Sequence, residues 1–542
     1  MRAGRDGART RIGASTAPEG HPEPELIDVR DESRSRPALR AAGAAAWEAA
    51  LDYLYASALP RAMAEPSDYD ALRRLYFEAA NGRGSGGPGP APRDPEPLEA
   101  VLAAFSTRIA PHTLSAYHPA SFGYFTPPPL LASIVGELLA QVAQQGIDIW
   151  HAGPVGAFVE EDVVRWLCDL VGYGEGSFGL LTSGGVMANF IGLTVARDVH
   201  LARLRGRPPR GRDLEGARVY ASDQTHFSVG RALDELGFPP ETLVVLPSDE
   251  AFRLPAGAVA EAIRRDRAGG LTPFVIAAVA GSTNTGSVDP VPELATVALD
   301  EDLWLHVDAA YGGPARLSPQ LAGRVPGLEL ADSVTVDPHK WLFQAYDVGG
   351  LMVRRREHLE VAFGGRRPEY YRGGQGAPEP ELDGRGAADV GHGSPEQLNF
   401  WRLGFEGTRR WRALKLWFSW KHLGTSGLAH LVEANVELAE HLARRIAAAD
   451  DFEALPAAPT LSVVCFRHMP GGRAAARDLH PGQLDAHQDR LQRALEASGD
   501  GWLSTTRLRN ATYLRAGILN TQSTTDDVDR LLDRLRELAA GV

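Results

Sequence analysis

The chain of 542 residues contains 44% hydrophobic and 23% charged residues, a balance typical of a globular protein rather than of a disordered or membrane chain. This length predicts a large domain, a smaller domain and additional N-terminal material. A net charge of -13 provides no basic field for a phosphate backbone, so we exclude nucleic acid as a partner.

Membrane and secretory signals are not evident in the sequence. No run approaches the roughly 20 apolar residues that a spanning helix needs, and the N-terminus lacks the apolar core of a secretory signal. Cys168 and Cys465 each lie within an apolar stretch, which predicts two buried thiols in a reducing compartment. We therefore expect a cytoplasmic protein without a membrane partner.

The N-terminal part is predicted to combine irregular and helical segments. Residues 1–40 are rich in Arg, Gly, Ala, Pro and Glu without apolar periodicity, which predicts a disordered tail. A helical segment is expected over 41–129, interrupted by a Gly- and Pro-rich linker at 82–97. Its last part, HPASFGYFTPPP at 118–129, is expected to line a pocket.

The middle of the chain alternates short β-branched apolar runs with helical patterns. This alternation predicts a mostly parallel sheet covered by helices on both faces, within a large domain over 130–412. The predicted strands lie at 218–223, 242–247, 274–282, 303–310, 333–338 and 349–354, with a further strand before the Ser-Gly-Gly turn of the segment 179–197.

The C-terminal third begins with a Gly-, Pro- and Arg-rich segment at 363–393, which predicts either a functional lid or a disordered loop. Residues 413–542 are expected to form a small domain with two long amphipathic helices and a short β-rich middle. Its closing helix is predicted at 524–538, where a Thr and an Asp provide the cap.

Lysine is rare in this sequence. Only Lys340, Lys415 and Lys421 occur among 56 Lys and Arg residues. Because the sequence uses Arg wherever charge alone matters, a lysine that persists is a candidate for a task that Arg cannot perform, such as forming an imine with an aldehyde. Chance survival is the alternative for any one lysine, so the neighbouring residues decide.

A carboxylate and a lysine follow two successive predicted strands. Asp308 ends the buried strand of HVDAAYGG, and Lys340 follows the strand of ADSVTVDPHKW by a short turn. Ligands of open α/β sheets bind at the carboxyl ends of strands, so both side chains can reach one crevice. A strand-end cap and a surface lysine are the alternatives, but the two residues in this order favour a shared site.

Two further segments are compatible with a bound phosphate compound. The Ser-Gly-Gly turn before the helix of 179–197 offers free N–H groups to a phosphate, although it could be a plain tight connection. It contains neither a Walker loop nor GxGxxG, which argues against a nucleotide. His226 lies just past a strand; it could stack on a planar ring or be purely structural.

At these residues the sequence resembles the pyridoxal-5'-phosphate (PLP)-dependent group II decarboxylases, most closely the aromatic-L-amino-acid decarboxylases, from about His118 to the C-terminus. The resemblance implies the α/β aspartate-aminotransferase (type I) fold. Its large domain has a mostly parallel seven-stranded sheet, followed by a smaller C-terminal α+β domain and preceded by an N-terminal helical extension. The implied cofactor is PLP, and we assign no metal ligands.

The resemblance also implies roles for individual residues. Lys340 would be the Schiff-base lysine, Asp308 the partner of the pyridine nitrogen and His226 the residue that stacks on the ring. The remaining implied cofactor contacts are Gly185 and Val186 at the phosphate turn, Thr283, Ala310 on the other face of the ring, and Ser333, Asp337 and His339 around the phosphate and imine. Tyr124 and Phe125 would line the substrate pocket.

The sequence departs from the family pattern at several positions. Val186 lacks the hydroxyl that is common there, so the phosphate could be held only through the backbone. Asp337 stands where animal aromatic enzymes have Asn. The segment RPEYY at 367–371 offers Tyr370 as the catalytic loop tyrosine, with Tyr371 as a close rival.

The resemblance implies decarboxylation of an L-amino acid to its amine. Tyr124, Phe125 and Trp150 favour an aromatic side chain, whereas acidic and diamino acids are the substrates of near relatives. Tyr370, supplied across the interface of a homodimer with shared active sites, is the expected proton donor to the α-carbon.

Two other functions remain open from the sequence. An aldehyde synthase or a carbon–carbon lyase on the same fold is the second hypothesis. A catalytically silent protein with a structural or regulatory role is the third, and the intact set of Lys340, Asp308 and His226 argues against it.

Overall fold

The computed structural model describes residues 30–66, 68–81, 90–364 and 398–542. The chain divides into two compact units, residues 1–118 and 119–542. The helices of the first unit are α1 (Glu32–Asp52), α2 (Tyr69–Asn81) and α3 (Leu98–Ala104). Helix α1 thus begins within the stretch 1–40 that the sequence analysis expects to be disordered, because an alanine-rich segment favours a helix even without apolar periodicity.

The second unit contains a seven-stranded sheet in the order β1-β7-β6-β5-β4-β2-β3. Strand β7 is antiparallel to both of its neighbours, and all other pairs are parallel. The prediction of a mostly parallel seven-stranded sheet is therefore confirmed. The strands are β1 (Phe178–Thr182), β2 (Ala217–Ser222), β3 (Leu243–Leu246), β4 (Thr272–Val279), β5 (Trp304–Asp308), β6 (Ser333–Val336) and β7 (Gly349–Val353).

Helices surround this sheet, and every residue of β1, β5, β6 and β7 is buried, as expected for strands covered on both faces. The helices are α4 (Leu131–Ala143), α5 (Pro154–Val171), α6 (Gly185–Val195), α7 (Ala202–Arg205), α8 (Ser228–Glu235), α9 (Ala256–Ala268), α10 (Val291–Asp300) and α11 (Glu357–Phe363).

The C-terminal part contains a long helix, α12 (Ala413–Ala448), which is kinked at Gly424 (φ 68°). An antiparallel four-stranded sheet follows, in the order β10-β11-β9-β8. Its strands are β8 (Phe452–Ala454), β9 (Val463–His468), β10 (Ser504–Leu508) and β11 (Ala511–Gly517), and its helices are α13 (Gly472–Arg477), α14 (Pro481–Ser498) and α15 (Thr525–Ala539).

The segment 119–129 belongs to the second unit, whereas the sequence analysis groups it with the N-terminal helices. The Phe122 N–H donates to the Trp502 carbonyl at 2.8 Å, and the Phe122 carbonyl accepts from the Gly517 N–H at 2.8 Å. Residues at the far end of the chain thus hold this segment in place, a long-range contact that local periodicity could not predict.

Both cysteines are buried free thiols, as predicted. Burial raises the pKa of Cys168 to about 11 and that of Cys465 to about 12. Within the described residues, no helix is long and apolar enough to cross a membrane.

Candidate active site

Asp308 and Lys340 lie at the same edge of the large sheet. Asp308 is the last residue of β5, and its register partner on the parallel strand β6 is Thr335. Lys340 follows β6 after a short turn, and its Nζ lies 3.0 Å from Asp337 Oδ2. The charges of Asp308, Asp337 and Lys340 all act on the imidazole of His226, so the structure brings these predicted site residues together.

Asp308 is buried and held by two donors. The Ala310 N–H donates to Oδ1 at 3.1 Å, and Asn189 Nδ2 donates to Oδ2 at 2.7 Å. Because both carboxylate oxygens accept a hydrogen bond, the orientation of the side chain is fixed. The arrangement therefore presents an oriented carboxyl group at the end of β5.

The turn Ser183-Gly184-Gly185 leads from β1 into α6 and packs closely on its neighbours. A Cβ at Gly185 would lie 2.7 Å from Asp337 Oδ2, and a Cβ at Gly349 would lie 2.5 Å from the Gly184 backbone. The first helical hydrogen bond runs from Ala188 N to Gly184 O, so the N–H groups at the start of α6 have no helical partner. Such a helix start is suited to a phosphate.

His226 and Thr283 lie on neighbouring loops. His226 Nδ1 contacts Ser228 Oγ at 2.8 Å and accepts the Ser228 N–H at 3.3 Å. Desolvation lowers the pKa of His226, opposed by Asp308 and reinforced by Lys340. The Thr283 side chain is exposed, and its carbonyl accepts from Arg515 Nε at 2.7 Å.

Asp337 and His339 lie beside Lys340. His339 Nδ1 accepts the Val348 N–H at 3.4 Å, and burial lowers the pKa of His339. Asp337 Oδ1 is buried without a hydrogen-bond partner among the described residues. Asp337 is thus free to accept one further donor.

Ser333 lies apart from the other residues that are expected to contact the cofactor. It lies at the first residue of β6 and is fully buried. Its hydroxyl is 2.9 Å from Trp304 Nε1 and 2.8 Å from His306 Nδ1. Because the cofactor residues gather at the opposite end of the strand, Ser333 can influence them only through His306.

The expected substrate segment contains two differently placed rings. Tyr124 is largely exposed, and its ring meets that of Trp502 in a T-shaped arrangement with the ring centroids 4.8 Å apart. Phe125 is buried and stacks on Tyr311 with the ring centroids 4.1 Å apart. Trp150 lies in a short 3-10 helix whose first N–H is bound by Asn399 Oδ1 at 3.1 Å. Tyr370 and Tyr371, with most of the segment 363–393, lie outside the described residues.

Sequence reasoning missed a buried cation. Arg515 on β11 donates to the carbonyls of Thr283 and Gly123 at 2.7 and 3.0 Å, and its guanidinium carbon lies 4.6 Å from the centre of the Phe125 ring. No carboxylate of the described residues acts on Arg515, and its buried Nη2 has no hydrogen-bond partner among them. An arginine at a buried position of a strand is the only sequence signal for it.

Two buried polar residues behind Asp308 were also missed. Asn189 lies on the mostly apolar helix α6, and His306 lies two residues before Asp308 on β5. His306 Nε2 contacts Asn189 Oδ1 at 3.0 Å. An amide side chain in the middle of a mostly apolar helix would have been the signal for Asn189.

Comparisons with known proteins agree with this arrangement. The family model described as "Pyridoxal-dependent decarboxylase conserved domain" matches residues 85–469. An aromatic-L-amino-acid decarboxylase of Bacillus atrophaeus is 33% identical over 480 residues, which cover 89% of this chain and 91% of the relative. An L-2,4-diaminobutyrate decarboxylase of Acinetobacter baumannii is 28% identical over 432 residues, which cover 78% of this chain and 80% of the relative.

A solved structure shares the fold. The crystal structure of Oryza sativa TDC with PLP and tryptamine has a TM-score of 0.80 and 24% identity, and the match covers 95% of this chain and 99% of that chain.

Proposed function

This chain belongs to the pyridoxal-dependent decarboxylase family, and from that membership we propose that it converts an aromatic L-amino acid to the corresponding amine. The chain is a PLP-dependent carboxy-lyase that acts on amino acids. The aromatic side chain and the roles of the individual residues are the proposed part.

The site residues fit PLP. The close approach of Gly185 and Gly349 to their neighbours leaves no room for a larger residue at the start of α6, where unpaired N–H groups can hold a phosphate. Lys340 supplies an amine that can bond an aldehyde, and Asp308 supplies a carboxylate for a pyridinium nitrogen. When bound, PLP supplies the electron sink for loss of the carboxylate.

Four residues of this chain have separate proposed roles toward the cofactor. Lys340 would hold the cofactor covalently, and its free amine lies 3.0 Å from Asp337 Oδ2. Asp308, whose carboxylate oxygens accept from the Asn189 amide and the Ala310 N–H, would bind the pyridine nitrogen. By the family resemblance, His226 and Ala310 would contact the cofactor ring.

The observation that carries the substrate proposal is the combination of Arg515 with the aromatic segment. The guanidinium of Arg515 lies behind Phe125 without a balancing carboxylate among the described residues, so its field favours an anion in the pocket. Tyr124 leaves most of its ring exposed for contact with a flat side chain. An aromatic amino acid supplies a carboxylate for Arg515 and a flat ring for Tyr124.

Tyr370 is our proposed donor of the proton to the α-carbon. This role separates amine production from aldehyde synthesis, because a carbanion that is not reprotonated can be oxidised by oxygen. Loss of the donor would give aldehyde, ammonia and hydrogen peroxide beside carbon dioxide.

We further propose that the enzyme is a homodimer. Helix α4 presents Leu131, Val135, Leu138, Leu139 and Val142 to solvent along one face, although its other face packs on α12, where a Cβ at Gly136 would lie 2.7 Å from Lys415 Cα. A contiguous apolar stripe of this kind marks a protein contact. A second copy of the chain is the occupant that the family resemblance favours.

The test is to incubate the purified holoenzyme with each standard amino acid and with L-2,4-diaminobutyrate, and to measure amine, carbon dioxide and peroxide. We expect amine and carbon dioxide from an aromatic amino acid, without peroxide. Amine from 2,4-diaminobutyrate alone would overturn the aromatic proposal, and peroxide in proportion to carbon dioxide would indicate an aldehyde synthase.

The variant Lys340→Ala should release no carbon dioxide, because no other group can hold the cofactor covalently at this position. Lys421→Ala is the matched control: Lys421 lies over the rings of Trp166 and Trp417, 5.6 and 5.7 Å from their centres, and its loss should leave turnover unchanged. Release of carbon dioxide by the Lys340 variant would contradict the assignment of Lys340 as the lysine that binds the cofactor.

A further inference from the structure

A buried hydrogen-bond chain lies behind Asp308 and begins at an indole. Trp304 Nε1 donates to Ser333 Oγ at 2.9 Å. An indole N–H can only donate, so Ser333 must accept this bond. The serine hydroxyl then directs its own proton to its other neighbour, His306 Nδ1 at 2.8 Å.

This direction fixes the tautomer of His306. Because Nδ1 accepts from Ser333, the imidazole proton is on Nε2, which donates to Asn189 Oδ1 at 3.0 Å. Burial lowers the pKa of His306 to about 4, opposed only by Asp308. The imidazole therefore stays neutral at neutral pH, and the direction of the chain is retained.

The same direction fixes the amide of Asn189. With Oδ1 bound to His306, the NH2 group faces Asp308 Oδ2 at 2.7 Å and Ser228 Oγ at 2.8 Å. Ser228 accepts this bond and passes its own proton to His226 Nδ1 at 2.8 Å. His226 consequently carries its proton on Nε2. The Asn189 amide thus orients Asp308 directly and His226 through Ser228.

We propose that Asn189, His306 and Ser333 are positioning residues that hold Asp308 as an oriented carboxylate and His226 as its Nε2-protonated tautomer. This inference rests on the proposed function for the roles of Asp308 and His226, but not for the direction of the chain. With the amide reversed, the Asn189 oxygen would face the carboxylate at hydrogen-bond distance, and both Asp308 and Ser228 would lose a donor.

The first test replaces the donor by an isosteric acceptor, Asn189→Asp. The titratable groups that contact Asn189 are Asp308 and His306 on β5. His226 lies one hydrogen bond further, through Ser228, and the charges of Asp337 and Lys340 act on His226. Two adjacent carboxylates raise the pKa of one of them, and a shared proton restores the wild-type charge. The effect of the substitution should therefore grow as the pH rises.

The measurement is the dissociation constant of PLP, obtained by equilibrium dialysis between pH 6 and pH 9. We expect the variant to bind PLP about tenfold more weakly than wild type at high pH, with a ratio that approaches one at low pH. Gln488→Glu is the matched control, since Gln488 is an equally buried amide in the small domain, bound to His468. A ratio independent of pH, or equal affinity, would overturn the proposal.

The second test keeps the fold and removes only the first donor. Trp304→Phe retains a ring but frees the Ser333 hydroxyl, so His306 should gain the Nδ1-protonated tautomer. The readout is 15N NMR of histidine-labelled holoenzyme, with the His306 signal identified by its loss in His306→Gln. Wild type should show only the Nε2-protonated form of His306, and an Nδ1-protonated wild type would refute the inferred direction. Because this readout needs no turnover, it can fail or succeed independently of the proposed function.

Discussion

Arg515 places a buried positive charge behind the substrate segment, with bonds to two carbonyls and to Ser504 Oγ but to no carboxylate of the described residues. A buried charge without a counter-ion is costly. Desolvation accordingly lowers the pKa of Arg515. Under the proposed function, the carboxylate of the bound substrate would supply the missing negative charge.

Arg515→Gln should raise KM for the amino acid by about tenfold or more, as expected for loss of a charged contact, and leave PLP affinity unchanged. Steady-state kinetics and dialysis of PLP measure the two effects. Arg467→Gln is the control, because Arg467 lies on the same sheet but is paired with Asp485 at 2.7 Å. An unchanged KM in the Arg515 variant would remove Arg515 from the substrate site.

At the level of single residues, the sequence predicted those groups whose chemistry is visible locally. Asp308 and Lys340 each follow a strand, and lysine is rare enough to draw attention to Lys340. Lys415 is also specialised: it is fully buried, and its amine donates to the carbonyls of Ala345 and Asp347 at 3.0 and 3.2 Å. The rarity of lysine in the sequence could therefore not distinguish the proposed role of Lys340 from the structural role of Lys415.

Partners that are distant in sequence could not be predicted in this way. Asn189 meets Asp308 across 119 positions, and Arg515 meets Gly123 across 392. Ser333 illustrates the converse, because residues that are close in sequence can lie far apart in the structure. It is near Lys340 in sequence but lies at the other end of β6, because an extended strand carries each residue about 3.3 Å further along.

Among the secondary-structure elements, the strands of the large sheet follow from their β-branched apolar runs, but the direction of β7 does not. A fully buried apolar strand has the same sequence pattern whether it pairs parallel or antiparallel. Only the short connection between Lys340 and β7 could suggest that β7 runs in the opposite direction to β6. Strand β7 brings Gly349 against Gly184. Its antiparallel course thus helps to shape the phosphate turn.

The predicted cap of the closing helix offers a test at this scale. The Thr524 side chain accepts the Asp527 N–H, and Asp527 binds the Thr524 N–H in return. Thr524→Ala should lower the free energy of unfolding by about 1 kcal/mol, measured by urea denaturation of the holoenzyme. The control is Thr525→Ala, one residue further along, which removes a hydroxyl outside the cap and should lower the free energy of unfolding less. Equal losses would show that the capping box adds no stability.

For the whole molecule, the sequence predicted a large and a small part but not where the N-terminal unit ends. The predicted N-terminal segment 41–129 ends where the aromatic stretch closes in prolines and the next long helix is expected, near Leu130, rather than at residue 118. Phe122 donates its N–H to the Trp502 carbonyl and accepts the Gly517 N–H. These bonds tie the segment 119–129 to the second unit, and such pairings have no local signature.

The proposed dimer predicts that one charge on α4 disrupts assembly. Val142 is 76% exposed in the apolar stripe, so Val142→Glu should leave the fold intact and shift the protein from dimer to monomer in sedimentation velocity, because a buried unpaired charge is unfavourable at an interface. Leu299→Glu provides the control, since Leu299 is 83% exposed on α10, outside the stripe. A dimeric Val142 variant, or a monomeric wild type, would exclude this interface.

The position of Arg515 on β11 also bears on how the enzyme matures during its own synthesis. The residues proposed to hold the cofactor lie between Gly185 and Lys340, whereas Arg515, the proposed partner of the substrate carboxylate, is on β11 and contacts Thr283 and Gly123. During synthesis, domains fold as units in order from the N-terminus, and residues 119–542 form one compact unit. The nascent chain therefore contains the proposed cofactor residues before it contains Arg515, so the proposed substrate site can be completed only after β11 has been made.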